Sequence, residues 1–151
     1  MTTTSAKGLA QGEDRVSIKY TFVASVSRWE HDGKKHVGEL TLTWNEIFSA
    51  VAPGMIDEAD EGHFRSALDG LVQAKDLPNL RTIVELKGMN LLGFRTNSDD
   101  FQTVKVQLRA LGLITKSSRS RSVKDNSTYW TLTPYGDNLL TRLRAITKPE
   151  T

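Results

Sequence analysis

The sequence predicts an α+β fold on three observations: an alternating apolar run at 15–28 answered by a second at 37–43, four segments with apolar residues at helical spacing, and a second strand pair near the C-terminus. Val16, Ile18, Tyr20, Phe22, Ala24 and Val26 fall on one side of the first run, opposite Ser17, Lys19, Thr21, Ser25 and Ser27. Asp32-Gly33 supplies turn chemistry suited to positive φ, so 15–43 reads as a β-hairpin.

Helices follow in order. Thr43-Trp44-Asn45-Glu46 has the spacing of a capping box, and Trp44, Ile47, Phe48 and Val51 form one apolar stripe until Pro53-Gly54. A second helix runs from Glu58 or Asp60 to Ala74 on Phe64, Ala67, Leu68, Leu71 and Val72. Residues 82–86 read as a strand, and Gly88 and Gly93 read as breaks. Asn97 to Asp100 offer cap oxygens and first-turn carboxylates to a third helix, 98–112, with Phe101, Val104, Leu108 and Leu111 inward and Gly112 as its stop. Strands at 113–115 and 128–132 flank a polar tip. Thr133-Pro134 then opens a last helix with Leu139, Leu140, Leu143 and Ile146 as its buried stripe.

The chain is long enough for one compact domain: residues 1–14 read as a disordered tail and 15–148 as a single domain, a hairpin (15–43) followed by a helical core (43–147). With 38% hydrophobic and 25% charged residues it has the composition of a globular protein with a buried core. The absence of cysteine excludes disulfides, thiolate zinc sites and cysteine nucleophiles, and makes a cytoplasmic location the expectation. No apolar run approaches the roughly 20 residues of a membrane span, so no membrane association is expected. Charge is uneven: 1–95 holds 11 Lys/Arg against 13 Asp/Glu, whereas 96–148 holds 9 against 4, nets of −2 and +5. Such asymmetry points to a polyanion as a partner for the C-terminal part.

A helix, then Leu111-Gly112-Leu113-Ile114, a hairpin with a basic tip, and Leu132-Thr133-Pro134-Tyr135-Gly136 opening another helix: this layout resembles the winged helix-turn-helix family of DNA-binding domains. The resemblance covers a third of the chain directly, and most of 43–147 if the helices at Thr43 and Asp60 are the first two of a three-helix core. It implies a winged-helix-like core with a C-terminal basic β-hairpin wing, preceded by the N-terminal hairpin. The sequence departs from the family at 77–97, where some twenty residues replace a tight turn. The stretch 105–146 is also similar to the C-terminal part of uncharacterised bacterial multidomain proteins, which implies a module of a larger protein.

With its apolar stripe buried, the third helix presents Gln102, Thr103, Lys105, Val106, Gln107 and Arg109, side chains able to read base edges in a major groove. Lys116, Arg119, Arg121 and Lys124 lie within nine wing residues, offset only by Asp125, and suit phosphate contacts. The plain alternative at these positions is a solvated helix face and a soluble loop. The function expected first is therefore nucleic-acid binding, to duplex DNA through helix 98–112 and wing 115–130, as in a transcriptional regulator; a homodimer would add half-site geometry, with the N-terminal hairpin as its candidate surface. The alternative is a protein-interaction or assembly module on the same scaffold. One contiguous positive surface favours DNA, and scattered cations favour a protein partner.

Trp130 and Leu132 are expected under the third helix, Tyr135 and Gly136 in close packing at the start of the last one, and Trp29 and Trp44 in a core or interface. Enzyme readings lack support. His31, His36 and His63 have no metal-ligand spacing, 57–61 reads as carboxylates favoured at a helix start, 88–93 lacks a phosphate-loop lysine, and no Ser-His-Asp arrangement is assignable. No catalytic residue, metal or cofactor is expected.

Overall fold

The computed structural model describes residues 4–149. Strand β1 (Arg15–Ser25) pairs antiparallel with β2 (Lys34–Thr43) over ten registered positions, and with β4 (Asn90–Thr96) on its other side, giving a sheet of order β2-β1-β4. A second antiparallel sheet, β3-β6-β5, joins β3 (Ala59–Asp60), β6 (Tyr129–Leu132) and β5 (Ile114–Lys116). Four helices complete the fold: α1 (Trp44–Val51), α2 (Glu61–Leu80), α3 (Ser98–Ala110) and α4 (Pro134–Arg144). The architecture is α+β, and one continuous core runs from Ile18 on β1 to Leu140 on α4.

The cap chemistry forms as the residues dictate. Thr43 Oγ1 accepts from Glu46 N–H at 3.1 Å while the Glu46 carboxylate accepts from Thr43 N–H at 2.9 Å, a complete capping box. Asp60, Asn97 and Thr133 likewise cap α2, α3 and α4. Gly112, at φ +74, provides the left-handed residue that stops α3.

Several expectations are corrected. Of the expected tail, residues 1–3 lie outside the described residues, but 4–14 are ordered against the domain: a 3-10 turn spans Thr4–Gly8, Ala6 is buried, and the carbonyls of Gly12 and Asp14 accept the otherwise unpaired N–H groups of Asn45 and Trp44 at the start of α1. Gly33 sits at φ −109, not in a left-handed turn; it is needed because a Cβ there would lie 2.3 Å from Val23 Cγ1. Helix α2 outruns Ala74 and passes Pro78, because its i, i+4 stripe of Phe64, Leu68 and Val72 continues through Asp76 and Leu80, both buried. Asp76 is tolerated there because the Tyr20 hydroxyl donates to its carboxylate and Asn79 Nδ2 donates to it at 3.0 Å.

Residues 82–86 form no strand, and Val84–Leu86 make a 3-10 turn. The strand is β4, with Gly93 inside it at φ +62, where the β1 register shifts by one residue. Ile146 lies beyond α4 and is 97% exposed, and Trp29 is 65% exposed in the hairpin loop, whereas Trp44 and Trp130 are buried. No helix among the described residues is long and apolar enough to cross a membrane.

The segment between α2 and α3 is clamped at its end. Asp69 on α2 accepts from Thr96 N–H (2.8 Å) and its hydroxyl (2.5 Å), Arg65 donates to the Thr96 carbonyl and to Ser98 Oγ, and Asn97 N–H reaches the Lys19 carbonyl at 2.8 Å. These contacts fix where α3 starts. Gly136 fixes the other side: a Cβ there would come within 2.0 Å of the Leu113 carbonyl oxygen. Gly136→Ala is expected to destabilise the fold by about 1–3 kcal/mol in urea unfolding, although helix propensity alone favours alanine by about 1 kcal/mol; a stabilised variant would show that α4 does not seat this tightly.

Candidate functional site

The C-terminal surface is built on Trp130. It is 2% exposed under α3, with the Lys105 ammonium 5.7 Å and the Arg109 guanidinium 5.2 Å from its ring centroid, and its Nε1 donates to Glu61 at 3.3 Å. Lys105 also lies 5.5 Å over Phe101 and pairs with Glu61 at 2.6 Å, leaving its side chain 13% exposed. A groove-reading lysine was expected here; its charge is instead spent against α2 and its stem on two aromatic faces.

The six expected cations lie on α3, at the end of β5 and in the loop 117–128, and they divide in two. Arg119 pairs with Asp57 at 2.6 Å and Glu58 at 3.5 Å. Arg121 pairs with Glu58 and lies 3.6 Å over the Tyr129 ring. Arg109, Lys116 and Lys124 are exposed and make no ion pair among the described residues. Gln107, expected on the reading face, donates to the Ala10 carbonyl at 2.8 Å, so the N-terminal segment covers that part of α3. Gln102, Thr103 and Val106 face solvent as expected.

Residues 57–61, expected as carboxylates of a helix start, are the feature of this surface that local reading misses. Only Asp60 caps α2, through His63 N–H at 2.8 Å. Asp57, Glu58 and Glu61 instead reach the cations, because β3 pairs with β6, Ala59 against Trp130 and Asp60 against Tyr129, and so lies beside the loop. Four carboxylates in five residues exceed what one helix end uses; that surplus was the available signal.

The loop is tied down further. Ser117 Oγ donates to Glu58 at 2.7 Å, Thr131 Oγ1 donates to the Asp57 carbonyl at 2.8 Å, and the Tyr129 hydroxyl donates to Asp125 at 2.9 Å. The Arg121 guanidinium, aided by the Ser117 hydroxyl, draws the Glu58 carboxyl from its ordinary 4.5 down to about 2. Backbone Ser127 N–H and the Tyr129 hydroxyl likewise hold Asp125 below the usual carboxylate range. A cleft of about 710 Å³ lies elsewhere, among Val37, Gly38, Arg65, Arg95 and 96–98. Among the described residues no three His, Cys, Asp or Glu side chains are placed to hold a metal ion.

Comparison with known proteins found no match, whether to a family model, a curated protein or a solved structure.

A carboxyl depressed in the folded state contributes stability that is complete above its ordinary value and is lost as pH falls toward its folded value. The stability of the parent chain over Glu58→Gln is therefore expected to be full at pH 6 and to shrink between about pH 4.5 and about 2. Urea midpoints of both proteins across that range check it; a difference independent of pH would show that Glu58 does not hold the loop.

Proposed function

We propose that the chain is a winged-helix-type interaction module whose principal partner is protein, with the outward face of α3 as the recognition surface. Helix, short strand, helix, helix and hairpin follow in the order of that scaffold, and β3 adds to the hairpin on the β6 side. On this reading the segment 81–97 is an insertion that lends β4 to the N-terminal sheet. The observation that carries the proposal is charge neutralisation: Lys105, Arg119 and Arg121, half of the cations suited to phosphate, are held by Glu61, Asp57 and Glu58. What remains outward on α3 is mostly uncharged, Gln102, Thr103, Val106 (59% exposed) and Ala110, with Asp99 and Arg109 toward its ends. Uncharged, partly apolar faces suit protein contact better than a polyanion.

Duplex DNA is the second reading, favoured by the exposure of Gln102, Thr103, Val106 and Arg109 together with unpaired Lys116 and Lys124. Salt separates the two. Each neutralised phosphate contributes a slope of about −0.9 in log affinity against log salt, so three free cations give about −3, and all six about −5. In an anisotropy series with random duplex DNA, weak binding with a slope no steeper than about −3 is expected. Tight binding with a slope near −5 would overturn the protein-partner reading, because the acidic run would then be yielding its arginines to phosphate.

A further inference from the structure

Strand β2 is a sheet edge: ten residues long, in unbroken register with β1 and, among the described residues, with no strand beyond it. Such an edge pairs with another strand unless bulges, proline or edge charges prevent it; β2 has neither a register shift nor a proline, and its edge charges include Lys35 and Glu39, which are of opposite sign. Lys19 on β1 gives its carbonyl to Asn97 N–H and its own N–H to Asp100, so its backbone groups face away from β2. Backbone groups alternate sides along an antiparallel strand. Ile18 and Tyr20 therefore bond to Leu40 and Gly38, and the N–H and C=O groups of Lys35, Val37, Glu39 and Thr41 point to the free edge.

We propose that β2 pairs antiparallel with β2 of a second copy, about a two-fold axis through Val37, to form a continuous six-stranded sheet. In that register Lys35 meets the partner's Glu39 and Glu39 the partner's Lys35, while Val37, 81% exposed, meets its own copy. Moving the axis to residue 35 sets lysine on lysine, and to residue 39 glutamate on glutamate. Axes at 36 and 38 lose both Lys–Glu pairs. Charge complementarity thus selects one register and one occupant. The surface is separate from the outward face of α3, so this inference stands whether that face binds protein or DNA.

Sedimentation equilibrium of the full chain at low salt is expected to show a concentration-dependent dimer. Lys35→Glu and Glu39→Lys should each weaken it by about tenfold or more, and the double swap should restore it to within about threefold of the parent. Val37→Pro removes an outward N–H that β1 does not use, so it should give a folded monomer by circular dichroism. A monomer at every concentration overturns the proposal. So does a dimer indifferent to the single reversals, or one that the double swap fails to restore, and these charge arms decide the matter should Val37→Pro fail to fold.

Discussion

Glu58 sits where β3 meets the loop 117–128, its side chain 10% exposed, with the guanidinium of Arg121, the guanidinium of Arg119 and the hydroxyl of Ser117 all directed to it. A carboxylate so sheltered is costly unless its lone pairs are satisfied, and three donors satisfy them. The rest of the C-terminal surface follows from that constraint. A serine- and arginine-rich loop with few apolar contacts has little reason to adopt one shape; anchored at Glu58 and at Asp125, it is drawn onto β3 and β6. Two of the cations that composition assigned to a partner, Arg119 and Arg121, are thereby paired with carboxylates of 57–58.

The same logic governs α3. Its inner stripe of Phe101, Val104, Leu108 and Leu111 is buried, yet its position depends on polar contacts from two elements: Arg65, Asp69 and, through Lys105, Glu61 on α2, and the Lys19 backbone on β1. The β4 segment therefore belongs to the placement of α3. It joins the N-terminal sheet to the helix whose outward face is the proposed recognition surface, so that the free β2 edge and α3 are linked through one core.

Local periodicity and cap chemistry made much of this legible. The Thr43–Glu46 capping box, the stripes of α1 and α3, the Thr133 and Asn97 caps and the burial of Trp130 all follow from residues a few positions apart. Long-range features were hidden. Asp76 interrupts an apolar stripe, and the Tyr20 hydroxyl, on a distant strand, joins Asn79 in satisfying it as a core residue. Gly93 reads as a break and serves as a bulge. Ile146 continues a helical spacing that no neighbouring surface covers. Pairing of the basic loop with 57–61 spans some sixty residues of sequence, beyond any local window, although the excess of carboxylates there marked a demand for partners.

Commitment of the loop arginines to carboxylates is tested by a double-mutant cycle on Glu58→Gln and Arg121→Gln, read as urea unfolding free energies at low salt. The expected result is a favourable coupling outside the error of the cycle. Additive effects would contradict it, because the arginine would then be free to serve a polyanion.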